Sequence, residues 1–72
     1  MGAETKRQRF QRLAEKRTND VLERLRILGN CANRGQYDYS SEDARRIFQA
    51  IEREFKIIRL KFKDGDTQKF KF

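Results

Sequence analysis

The chain has no proline, no histidine and a single cysteine, Cys31, among its 72 residues. Without proline, nothing in the sequence forces a helix to kink or stop. Without histidine, no Cys–His or Ser–His nucleophile can be assembled, and Cys31 alone completes neither a Cys/His zinc cluster nor an internal disulfide. The phosphate-binding glycine loop and the dinucleotide fingerprint are also missing. Glu52 and Glu54 diverge by about 200° on a helix and so form no carboxylate pair. The expectation is a protein with no catalytic residues, no metal and no cofactor. Apolar runs are short as well: none approaches the roughly 18 residues of a membrane span, and no signal-type apolar region follows the first residues. Met1-Gly2 starts as a myristoylation motif does, but Lys6 stands where that motif needs Ser or Thr. A cytoplasmic protein with no membrane partner is expected, and a lone thiol suits a reducing compartment.

What is present is charge and periodicity. Charged residues make up 40% of the chain and hydrophobic ones 36%. That balance borders on disorder, yet the apolar residues recur at regular spacing, which predicts folded helices. A chain of this size is one domain at most and buries only about 60% of its unfolded surface. With disulfides and zinc excluded, oligomerisation is the remaining way to complete a core.

Thr5-x-x-Gln8 has the form of a capping box and opens a first helix over residues 5–28. Phe10, Ala14, Val21, Leu25 and Leu28 lie within about 60° of one another on it. Gly29 suits a left-handed residue just past its end. The stretch 29–40 is rich in turn formers and predicts a loop. Ser40-x-x-Asp43 then caps a second helix, with Tyr39 and Ala44 spaced as a hydrophobic staple. In that helix Ala44, Phe48, Ile51, Phe55, Ile58 and Phe62 recur at steps of 4, 3, 4, 3 and 4, which carries it over residues 41–62. The end of the chain, IIRLKFKDGDTQKFKF, also reads with period 2. The fold expected is therefore all-α, an antiparallel helical hairpin spanning 1–63 that dimerises into a four-helix bundle, with a basic aromatic tail at 64–72. The alternative is α+β, with a C-terminal β-hairpin over 57–72 that leaves Ile57 and Leu60 less exposed.

The net charge of +7 is uneven. Residues 1–17 carry +4, residues 18–46 carry zero and residues 47–72 carry +3. An antiparallel hairpin gathers that excess at its open end. Lys6, Arg7, Arg9, Arg12 and Lys16 are the expected phosphate contacts, extended by Arg59, Lys61 and Lys63. Arg9, Arg12 and Lys16 face away from the apolar stripe, and Lys6, Arg7 and Arg9 occupy the first turns of the helix, where cations oppose its dipole, so stability does not select those three. Arginine outnumbers lysine eleven to seven, which favours bidentate phosphate contacts. In the long loop, Asn33, Arg34, Tyr37 and Tyr39 are candidate base or partner contacts, by stacking and hydrogen bonding; the bland alternative folds the two tyrosines over the end of the core.

The expected function is non-catalytic nucleic-acid binding. RNA is placed ahead of DNA, because a loop of this length is not the three- to four-residue turn of a helix-turn-helix. The expected architecture resembles that of small plasmid regulators that bind RNA as dimeric helical hairpins. The competing expectation is a small helical adaptor or regulator that binds a protein, an acidic one included.

Overall fold

The computed structural model describes residues 2–63. The basic aromatic tail 64–72 and the second strand of the alternative hairpin lie outside the described residues. Two α-helices are present, α1 over Lys6–Gly29 and α2 over Ser41–Lys63, joined by a 3-10 turn at Asn30–Ala32 and an irregular segment. The chain divides between Asp38 and Tyr39 into two units, each built on one helix.

α1 begins where the capping box requires. The Gln8 N–H donates to Thr5 Oγ1 at 3.0 Å, and the Thr5 N–H donates to Gln8 Oε1 at 3.0 Å, which satisfies two donors of the first turn. Its far end departs from expectation. Gly29 is the last helical residue with φ −58°, ψ −25°, an ordinary right-handed conformation, and the following Asn30 N–H is shared between the carbonyls of Ile27 and Leu28. The helix tightens into the 3-10 turn instead of reversing through a left-handed glycine, so Gly29 terminates nothing. A Cβ at Gly29 meets no atom within 4 Å. Gly29→Ala is therefore expected to stabilise the protein by about 0.5–1 kcal/mol, seen as a rise of a few degrees in a thermal melt.

α2 opens on a second capping box. The Asp43 N–H donates to Ser40 Oγ at 3.1 Å and the Ser40 N–H to Asp43 Oδ2 at 2.9 Å. The Ser40 N–H, and after it the Ser40 hydroxyl, holds the Asp43 carboxyl below its usual value. Because the folded pKa is the lower one, the cap contributes fully above the unfolded aspartate pKa and is lost as the pH falls through the folded value. Tyr39 and Ala44 are both partly buried, as a staple requires.

α2 also decides between the two parses of the terminal stretch. Residues 57–63 are helical, which overturns the first strand of the α+β alternative. The apolar step of four from Ile58 to Phe62 continues the stripe, and Lys61 and Lys63 favour the negative end of the helix dipole. The cost is that Ile57 and Leu60 point away from the stripe, and both are exposed.

No described residue is buried. Only Leu13, Ala14, Leu28, Tyr39, Ala44 and Ile51 lose a substantial part of their accessibility. At about 36 and 35 Å, α1 and α2 are matched in length, and each presents an apolar stripe to its surroundings.

Candidate nucleic-acid interface

Arg9, Arg12 and Lys16 share the outer face of α1, one turn apart at each step, over about 10.5 Å of helix axis. Their side chains are 62%, 60% and 71% exposed. Over that length a nucleic-acid strand offers about three phosphates.

Two of the three cations already hold a carboxylate closely. Arg12 engages Glu4 with both prongs of its fork: Nε donates to Oε2 at 2.8 Å and Nη2 to Oε1 at 3.0 Å. Arg9 Nε stands 3.9 Å from Glu4 Oε1. Lys16 Nζ donates to Asp20 Oδ2 at 3.1 Å. The hydrogen bond from Arg12 is the main reason the Glu4 carboxyl lies below its ordinary value. Glu4 was not legible as a site residue. It precedes the cap and pairs with a residue eight positions on, beyond the three- and four-residue spacings at which side chains of one helix meet.

These pairs are solvent-exposed, and exposed ion pairs are weak enough for a phosphate to replace them. Glu4 thus occupies, in the free protein, the bidentate position that a phosphate would take on Arg12. If this face receives a polyanion, Glu4→Gln is expected to tighten that binding roughly two- to fivefold at low salt, with the gain fading at high salt. Parallel titrations of wild type and variant by fluorescence anisotropy check this. Acidification should mimic the substitution in wild type only once the pH falls below the ordinary carboxylate range, because the folded Glu4 pKa is depressed.

The other predicted cations are placed differently. Lys6 and Arg7 fall on the same side as the apolar stripe, and the Arg7 guanidinium lies 5.7 Å from the Phe10 ring centroid. Lys6 has no ion-pair partner among the described residues. On α2, Arg59 stacks over Phe55 at 4.7 Å, at the edge of the apolar stripe. Lys61 and Lys63 are exposed in the last turn, where the helix dipole alone accounts for them. The α1 and α2 cations belong to different units.

In the connecting segment Asn33 is committed to the turn it sits in. Its Oδ1 accepts the Gly35 N–H at 2.9 Å, and its carbonyl accepts the N–H groups of Gln36 at 3.1 Å and Tyr37 at 3.0 Å. This is an Asx turn, and it spends the side-chain acceptor that a base contact would use. Arg34 and Tyr37 are exposed, Tyr37 at 50%, whereas Tyr39, just before α2, is partly buried. Of the four loop candidates, Asn33, Arg34 and Tyr37 are exposed and Tyr39 is not. Cys31 is exposed in the 3-10 turn.

Among the described residues, no three His, Cys, Asp or Glu side chains come together, and no helix is long and apolar enough to cross a membrane. No family model matches the chain, and comparison with curated proteins and with solved structures yields no match.

Proposed function

We propose that this is a small non-catalytic nucleic-acid-binding protein that receives a phosphate backbone on the Arg9-Arg12-Lys16 face of α1. One contrast carries the proposal. The first turn of α2 holds Glu42 and Asp43, as the dipole favours, whereas the first turn of α1 holds no acidic residue and begins with Lys6 and Arg7. The three cations that follow at helical spacing are exposed and bound only to replaceable carboxylates. Cations placed against the dipole and kept in solvent need a reason outside the fold, and a polyanion supplies it.

In this proposal α1 and α2 of one chain pair as an antiparallel hairpin, two chains complete a four-helix bundle in the cytoplasm, and Lys61 and Lys63 join the α1 cations at the open end. RNA is favoured over DNA because eleven residues separate α1 from α2, too many for a helix-turn-helix.

A salt titration with RNA and DNA of equal length tests the proposal. The logarithm of affinity should fall with the logarithm of salt by about 0.9 per duplex phosphate neutralised, or about 0.7 per phosphate on a single strand. The exposed Ile57 and Leu60 favour a second reading, a helical adaptor docking on a protein. That reading predicts no retention of either nucleic acid at low salt and little salt dependence of the interaction it does make.

A further inference from the structure

α2 carries an apolar seam and a flanking charge pattern that phosphate binding does not use. In heptad terms Phe48, Phe55 and Phe62 form one row of the seam, and Ala44, Ile51 and Ile58 form the other. Ile47, Glu54 and Lys61 border it on one side, and Arg45, Glu52 and Arg59 on the other. The seam is open: Phe48, Phe55 and Phe62 are 59%, 54% and 64% exposed. The stripe of α1 is less continuous, because Arg17 and Arg24 interrupt it at two of its heptad positions.

We propose that a second copy of the chain docks on this seam, α2 against α2 in parallel and in register, with Glu54 of each copy paired to Arg59 of the other. The charges choose both occupant and direction. In a parallel pair a residue on one border faces the residue five positions later on the opposite border of its partner, so Glu54 meets Arg59 twice by symmetry. In an antiparallel pair with full overlap of the seams, Glu54 meets Glu54, Glu52 meets Glu52 and Arg45 meets Arg59. Every charged contact is then between like charges. Neither Glu54 nor Arg59 has an ion-pair partner among the described residues. Arg59 is already held beside the seam by its stack on Phe55.

The core residues define the surroundings of this pair. Isoleucine in one seam row beside large side chains in the other disfavours an isolated two-stranded coil and suits more than two helices. One α1 from each copy, laid alongside, completes four. The parallel arrangement also brings both copies of Lys61 and Lys63 to one end. The inference rests on the dimer of the preceding section, and not on nucleic-acid binding.

Sedimentation equilibrium without nucleic acid tests it, using full-length wild type, Glu54→Arg, Arg59→Glu, the double exchange, and an equimolar mixture of the two single variants. Each single variant should self-associate roughly tenfold more weakly, since two attractive pairs become repulsive. The double exchange should restore the dimer, and the mixture should form a heterodimer at least as tight as wild type. Tighter association of Arg59→Glu alone would overturn the parallel arrangement, because only in an antiparallel pair does the introduced carboxylate face Arg45 of the other copy. A dimer indifferent to all these changes would overturn the α2 seam and leave the dimer itself standing. A wild-type chain that stays monomeric at high concentration would overturn both.

Discussion

Reversal of Arg9, Arg12 and Lys16 to glutamate is expected to weaken nucleic-acid binding on the order of a thousandfold at 50 mM salt, with helix content unchanged. The magnitude follows from counterion release. Three phosphate contacts contribute a salt exponent of about 2.7, which over the roughly 1.3 decades between 50 mM and 1 M salt amounts to about three and a half orders of magnitude. The difference from wild type should accordingly shrink as salt rises. Folding should survive, because all three side chains are more than half exposed and glutamate at position 9, in the first turn of α1, agrees with the dipole that Arg9 opposes. Lost pairs with Glu4 and Asp20 cost little at these exposures. Each reversal removes two charges, so the net charge falls from +7 to +1, and a control must carry the same change elsewhere. Arg26→Glu, Arg45→Glu and Arg46→Glu serve, since these arginines pair with Glu23 and Glu42 near the loop ends of the helices. If that control loses as much affinity as the α1 variant, the interface is not on α1.

The start of each helix was legible because capping chemistry is local: Thr5 with Gln8 and Ser40 with Asp43 sit three residues apart and bond only each other. The outer face of α1 was legible for a similar reason, since Arg9, Arg12 and Lys16 are placed by helical period alone. Where local rules compete, the sequence was ambiguous. Residues 58–62 satisfy both periods, and the helix prevails there because the stripe that begins at Ala44 is already in register. Gly29 misled, since glycine permits a left-handed residue without requiring one, and the chain stays right-handed through it. The Glu4–Arg12 pair was invisible because it depends on how the segment before the cap folds back, and the Asn33 turn bond was not legible because the sequence is as compatible with it as with a base contact.

The apolar stripes make a prediction independent of any ligand. Replacing Ile51 and Ile58 together by aspartate is expected to leave the chain largely unfolded at 25 °C, and in wild type the helical signal should fall on dilution. No described residue is buried within the single chain, so each helix would have to stand on its own propensity. α2 is poorly equipped for that: Ile47, Ile51, Ile57 and Ile58 are β-branched, and Phe48, Phe55 and Phe62 add aromatic side chains, all weaker helix formers than alanine or leucine. Isolated helices are marginal even with favourable sequences, and helix stability in proteins comes mainly from packing an amphipathic face. Truncating one packed isoleucine costs about 2–5 kcal/mol, and a buried unpaired carboxylate costs more. Two such changes in every copy exceed the roughly 5 kcal/mol that a domain at the lower end of the usual stability range possesses. Far-ultraviolet circular dichroism across a hundredfold range of concentration reads both effects. A wild-type signal constant to the lowest concentration, together with a helical aspartate variant, would mean that α1 and α2 hold their shape unaided, and the case for a helical bundle would fall with that result.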